Sequence, residues 1–348
     1  MLKSLKELAL NISEEEYRNS KEFHYSTLAT FDREGFSNLE HLFDKKESPS
    51  LLFGSCVDTL LTDGREAYDN AYMIAEFPSI SDKEVLIAKS LFNSYKDTYD
   101  SIYKIPDTII KDLCAINSYQ NNWRPETKVK VIRERCADYY NLLYLAKDKT
   151  IISTELNNKV NTTVNALKES EATKWYFQAD NPFDDIERCY QLKFKNEYEG
   201  IGYMIMADLI VVDHKNKIVY PCDLKTSSHK EYDFYLSYIQ WKYFIQSKLY
   251  YRTIRANMDR DEYFKDFKLA NYRFIVCNGE NLDPLVWEDT MTSSWGDLYF
   301  GKNNQILMRD PYNIAKELNY YLSTGPKRPI GIVEDKPNNL FDWIDKME

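Results

Sequence analysis

Two aspartates and a lysine stand close together in the middle of the chain. Asp208 lies within the apolar stretch YMIMADLIVVD, and Asp223-Leu224-Lys225 ends the stretch IVYPCDLK. Between the two runs comes His214-Lys215-Asn216-Lys217, a polar four-residue loop of the kind that closes a hairpin. Pairing Asp213 with Ile218 across that loop puts Asp208 opposite Asp223, on one sheet face with Cβ atoms about 4.5 to 5.5 Å apart. Lys225, two positions after Asp223, shares that face by the two-residue period of a strand. Two facing carboxylates in largely apolar strands repel each other and lose hydration, so one becomes protonated unless a cation lies between them. A divalent cation resolves the conflict, because Mg²⁺ takes about six oxygens, typically from one or two carboxylates, waters and a substrate phosphate. Asp-x-Lys is common on its own, so a solvated aspartate at a strand edge stays open as the alternative. Pro221 leaves the register conditional too: proline donates no ladder hydrogen bond, and a bulge there would shift the pairing.

The elements that must hold these residues follow from the patterning around them. The character changes near Trp175, and β-branched and aromatic runs punctuated by turn residues continue to Ser228, which predicts the sheet. A long helix is expected from about 233 to 255, then short strands near 272 to 278 and 284 to 289, and a last helix near 311 to 323. The first half reads as helical: Ser13-Glu14-Glu15-Glu16 and Ser81-Asp82-Lys83-Glu84 fit capping boxes, Ser153-Thr154-Glu155 opens a third helix, and 124 to 144 carries a fourth. The N-terminal seventeen residues read as an amphipathic helix. The expected fold is therefore α/β or α+β, a mixed central sheet flanked by helices with a helical N-terminal half. One domain over 1–348 is expected, made of a mainly helical segment (1–175), a catalytic α/β core (176–290) and a C-terminal extension (291–348).

Composition narrows the classes. No apolar run approaches the roughly 20 residues that span a bilayer, and the N-terminus lacks the apolar centre of a secretion signal, so a cytoplasmic protein with no membrane partner is expected. The six cysteines are far apart, without the paired spacing of a zinc or iron–sulfur site, and read as free thiols. A formal net charge of -10 argues against a broadly basic nucleic-acid-binding surface. Any DNA contact must be local. The 28 tyrosines accompany abundant Asn, Lys and Ile, the drift of an AT-rich genome, and are given no functional weight.

Asp208 and Asp223-Leu224-Lys225-Thr226-Ser227 resemble the core of the PD-(D/E)XK nucleases, especially the RecB-like and RecE-type (exonuclease VIII-like) branch. Gln246 and Tyr250 in IQWKYFIQSKLYY, four apart on one helix face, are similar to the Gln-x-x-x-Tyr motif that follows the catalytic strands in that branch. LLFGSCVDTLLTDG resembles its glycine-led helix, with Gly54, Ser55 and Leu60 at family-like spacing; where the family usually has a metal-binding histidine, this chain has Asp58. Tyr25 and Ser26, before a helix, also look like the start of the RecB-like domain.

The resemblance implies a restriction-endonuclease-like core and a metal-dependent deoxyribonuclease, with Asp208, Asp223, Lys225, Gln246 and Tyr250 in the catalytic set. Asp58, Asp208, Asp223 and the Leu224 carbonyl would hold one or two Mg²⁺ or Mn²⁺ ions, and aspartate suits such hard ions. It further implies an exonuclease on double-stranded DNA ends, a ring-shaped homo-oligomer, a single-strand annealing partner and a phage-type recombination role in a bacterial cytoplasm. A catalytically inactive DNA- or protein-binding factor of the same fold, a site-specific nuclease and a single-strand nuclease remain alternatives. Lys242, Lys248, Arg252 and Arg255 read either as a backbone-tracking row or as a solvated helix face. Thr226 and Ser227 either contact phosphate or end their strand.

Overall fold

The structure is a computed structural model and describes residues 2–43, 48–179, 185–227, 229–230, 233–278, 281–301 and 303–325. Their helices are α1 (Glu14–Arg18), α2 (Tyr25–Glu34), α3 (Pro49–Asp58), α4 (Gly64–Ala71), α5 (Asp82–Tyr95), α6 (Asp107–Ile116), α7 (Pro125–Ala146), α8 (Thr154–Glu169), α9 (Phe234–Gln240), α10 (Tyr243–Asp259) and α11 (Pro311–Thr324). The strands are β1 (Tyr72–Ile74), β2 (Thr150–Ile152), β3 (Ile186–Tyr198), β4 (Ile201–Asp213), β5 (Ile218–Ser227), β6 (Lys268–Leu269), β7 (Tyr272–Asn278), β8 (Leu285–Asp289), β9 (Leu298–Phe300) and β10 (Ile306–Met308). The fold is a mixed α/β arrangement with a central sheet flanked by helices, and helices dominate its N-terminal half.

Two compact units divide the chain, one formed by Asp63–Asn161 and the other by Met1–Thr62 with Thr162–Glu348. The helical segment over 1–175 is thus shared between them. In the first unit α5, α6 and α7 enclose a core of Ile87, Leu91, Ile110, Ile132 and Tyr140, and β1 pairs in parallel with β2. Capping boxes open α1 at Ser13 and α5 at Ser81, as the Ser-x-x-Glu spacing predicts. Residues 5–8 form a separate short 3₁₀ turn before α1, so the amphipathic N-terminal helix expected from sequence is replaced by two short pieces.

The second unit holds the six-stranded sheet, in the order β3-β4-β5-β7-β8 with β6 also on β5. β3 and β4 form a hairpin through Glu199 and Gly200, both at positive φ, the requirement of a tight turn whose twist matches its strands. β4 and β5 form the second hairpin, with Asp213 opposite Ile218 as the loop predicts. The Asp213 carboxylate accepts from the Asn216 backbone N–H at 2.8 Å and holds that loop. β5 then runs parallel to β6 and β7.

Pro221 introduces no bulge: it pairs with Ile210 in unbroken register. Its nitrogen faces the edge where β6 partners Ile218 and Val219 and β7 begins only at Cys222, so the missing donor falls in a gap between partners. α2, α10 and α11 cover one face, burying Phe31, Phe244, Ile245, Leu249, Ile254 and Leu318 against Ile205, Val212, Val219 and Phe274. The single helix expected over 233–255 is two, because Lys242 adopts left-handed φ/ψ of 60° and 39° between α9 and α10. The expected C-terminal extension is described only to residue 325, where α11 has ended.

Candidate active site

Strand alternation is broken where Asp208 sits. In β4 the side chains in the main core are Tyr203, Ile205 and Ala207, then Ile210 and Val212; in β3 they are Cys189, then Leu192 and Phe194. Odd and even positions exchange roles within one step on both strands. The register places Gln191 opposite Asp208, between the pairs Tyr190–Leu209 and Leu192–Ala207, and the ladder skips these two residues. Gln191 carries a φ of 53°, the local cause of the change of phase. Toward β5 the ladder ends at Leu209–Cys222, one pair short of Asp208 and Asp223.

The Asp208 carboxylate occupies the opening. It accepts the Leu224 backbone N–H at 3.1 Å, standing in for the next rung of the ladder. Because the N–H and C=O of one strand residue point to the same edge, the Leu224 carbonyl also emerges on the side of Asp208. Burial first, then the charges of Asp223 and Asp58, push the Asp208 carboxyl well above the usual range. Three acidic residues therefore act on one another: the two predicted from the hairpin and the one on α3.

Asp58 is the last residue of α3, and a single π-helical turn over Thr59–Asp63 follows it. Such turns frequently mark functional positions. Its carboxylate accepts from Gln191 Nε2 at 2.7 Å. α3 packs close to β5 at Gly54, where an added Cβ would lie 3.4 Å from Thr226 Oγ1. Ser227 accepts from the His229 backbone N–H at 3.0 Å, the strand-ending role of its two readings.

Asp223 is 1 % exposed. Its Oδ1 accepts from Gln246 Nε2, and Lys225 Nζ lies 2.6 Å from its Oδ2. Lys225 also sits over the Tyr243 ring, 4.7 Å from the centroid. Burial opposes its charge, but Asp223, Tyr243, Tyr25 and Asp208 together outweigh that penalty and hold its pKa above the ordinary lysine value. The Tyr243 ring packs against Phe234 and Phe274, which also contact each other, and the Tyr25 hydroxyl donates to the Trp241 carbonyl at 2.6 Å. Ser26 is exposed on α2.

Gln246 and Tyr250 both point into the site from α10. Tyr250 packs edge-on against Tyr272 with Tyr17 close by, and burial raises its pKa well above the phenol range. Tyr17, Tyr243 and Gln191 were not anticipated from sequence. For Tyr243 a signal existed: positions 243, 246 and 250 recur three and four apart and so form one stripe of α10. Nothing comparable marks Tyr17 or Gln191.

The four basic residues Lys242, Lys248, Arg252 and Arg255 all engage protein partners, and Lys248 and Arg252 are buried and so form no solvated face. Arg252 is buried and bidentate to Asp310 at 2.8 and 2.6 Å, with Trp295 and Tyr312 against its guanidinium. Lys248 is 1 % exposed and donates to the Gly296 carbonyl. Lys242 pairs with Asp32 at 3.1 Å, and Arg255 spans Asp259 and the carbonyls of Phe267 and Lys265. These contacts tie α10 to its neighbours.

Among the described residues no three His, Cys, Asp or Glu side chains are gathered tightly enough to hold a metal ion by themselves. Asp208 and Asp223 supply two carboxylates; beside them Gln246 Oε1 has no hydrogen-bond donor, and Asp223 Oδ2 has the Lys225 ammonium next to it but no well-directed hydrogen bond. Such a sparse, oxygen-only set fits Mg²⁺ or Mn²⁺, which keep water and substrate oxygens in their shells. The six cysteines are buried and form no disulfide among the described residues, and no helix among the described residues is long and apolar enough to cross a membrane.

No family model matches the sequence, and no curated protein does. Among solved structures the chain is similar to the crystal structure of a protein from Eubacterium rectale named as a candidate exonuclease, at 13% identity and a TM-score of 0.42, covering 96% of this chain and 98% of that one. A superposition that loose carries no functional argument.

Proposed function

We propose that the chain is a divalent-metal-dependent deoxyribonuclease of the PD-(D/E)XK type acting on linear double-stranded DNA. The observation that carries the reading is the environment of Asp208. Its carboxyl is pushed up by burial and by two neighbouring acidic groups, an unfavourable grouping that a divalent cation relieves. Lys225 and Gln246 contact the Asp223 carboxylate, and Tyr250 lies near enough to feel the charges of Asp223 and Asp208.

Asp208 and Asp223, with Asp58 and the Leu224 carbonyl, would hold one or two Mg²⁺ or Mn²⁺ ions. A bound ion supplies Lewis-acid polarisation of the scissile phosphate and a more acidic water. The chain's own groups do the rest. Lys225 places a permanent positive charge where negative charge develops on the phosphate and orients the attacking water. Gln246 fixes the rotamer of Asp223 through its amide N–H. Tyr243 and Tyr25 wall the ammonium and limit its access to bulk water.

The RecE-type resemblance extends the proposal to 5′-to-3′ digestion of duplex ends, a ring-shaped homo-oligomer, and a single-strand annealing partner in phage-type recombination within a bacterial cytoplasm. Purified protein incubated with Mg²⁺ and either linear or covalently closed duplex DNA tests it. Degradation of the linear form alone, abolished by chelator, is expected. Cleavage of closed circles would instead make the enzyme an endonuclease, and metal-independent or absent cleavage would remove the reading.

A further inference from the structure

Gln191 combines two features that have no common explanation in packing. Its backbone is held at a φ of 53° inside a thirteen-residue strand, a conformation unfavourable for any residue with a side chain and concentrated at functional sites. Its side-chain amide is spent on Asp58 Oδ2, 2.7 Å away on another element. Glycine would relieve the backbone. Glutamine at this position keeps the unfavourable geometry and gains a donor.

The choice of donor matters. A lysine or arginine at 191 would neutralise Asp58, whereas a neutral amide fixes the carboxylate and leaves its charge acting on Asp208, where it is felt. The kink also resets the strand phase beside Asp208, so one residue sets both the opening and the orientation of the acid that faces it. We propose that Gln191 is a positioning residue that uses its positive φ to fix Asp58 beside Asp208, completing the acidic set that takes a divalent cation. The inference rests on the metal-binding reading above.

The test measures Mn²⁺ affinity by titration calorimetry and metal-free thermal unfolding, on unmodified protein, Gln191→Gly, Gln191→Leu, Asp58→Ala and the double variant Gln191→Gly/Asp58→Ala. Gln191→Gly is expected to unfold at the same temperature as the unmodified protein or about 1–3 °C higher, yet to bind Mn²⁺ about tenfold more weakly. Gln191→Leu, which keeps the Cβ and loses the donor, should show the same affinity loss without the thermal gain. In the Asp58→Ala background Gln191→Gly should cost nothing further. A purely structural Gln191 would give the reverse pattern, with lower unfolding temperature and unchanged affinity. Wild-type affinity in Gln191→Gly, or an equal loss with and without Asp58, overturns the inference and leaves the nuclease reading standing. Absence of Mn²⁺ binding by the unmodified protein overturns both.

Discussion

Lys225 Nζ stands 2.6 Å from Asp223 Oδ2 and over the face of Tyr243, 4.7 Å from the ring centroid. Asp223 and Lys225 are two positions apart on one strand, so their shared face is a backbone property. Tyr243 comes from the first turn of α10, so the ammonium is fixed only when that helix is docked. Removing the ring should therefore lower kcat and leave KM nearly unchanged. Tyr243→Phe is expected to stay within about twofold of wild type, and Tyr243→Leu to fall about three- to tenfold in kcat, the scale of a partly buried cation–π contact. Steady-state kinetics on end-labelled duplex would show it; equal losses in the two variants would mean that the hydroxyl, not the ring face, matters.

Asp208 is an acid held above its unfolded pKa. A carboxyl of that kind favours the folded state at acid pH, where it is protonated, and this contribution disappears as pH rises through the folded pKa. At neutral pH without divalent ions, Asp208→Asn should therefore stabilise the protein, raising Tm by about 1–3 °C, and the gain should shrink as the pH is lowered toward the ordinary aspartate range near about 4. Saturating Mn²⁺ should reverse the ranking, since the ion stabilises only the protein that binds it. Scanning calorimetry at two pH values, with and without metal, gives the four numbers; a destabilised Asp208→Asn at neutral pH without metal would contradict the electrostatic account.

Arg252 and Asp310 form a buried bidentate pair that ties α10 to the N-terminus of α11. Truncating the arginine leaves a buried carboxylate uncompensated, so Arg252→Ala should cost about 3–5 kcal/mol of unfolding free energy. Because the guanidinium is enclosed by Trp295 and Tyr312, the loss should appear in denaturant melts and not as a reduced salt dependence of DNA binding. A variant of wild-type stability with weakened, less salt-sensitive DNA binding would restore Arg252 to a backbone-tracking role.

Much of this architecture was legible because local rules govern it. The four-residue loop set the β4–β5 register, the Ser-x-x-Glu boxes set the starts of α1 and α5, and alternating and helical periodicities located most strands and helices. The placement of Asp208 was half legible. Period-two reasoning put it opposite Asp223, and the hairpin register agrees, but the ladder stops one pair earlier and the carboxylate itself replaces the missing rung. The reason lies on β3, at a glutamine whose positive φ no sequence rule for strands anticipates. The split of the long helix at Lys242 was hidden for the same reason, since lysine gives no sign of a left-handed residue. The burial of Lys248 and Arg252 was equally hidden, because helix periodicity cannot reveal acceptors arriving from residues 294 to 310.

The central claim is that Asp208, Asp223 and Lys225 form a metal-dependent phosphodiester-cleaving centre. Single-turnover digestion of end-labelled linear duplex by wild type, Asp223→Asn and Lys225→Ala, each with Mg²⁺ and with chelator, tests it most directly. Mg²⁺-dependent cleavage by wild type, reduced by about a hundredfold or more in both variants, is the predicted result. Equal cleavage by all three proteins, or cleavage that survives the chelator, would contradict it.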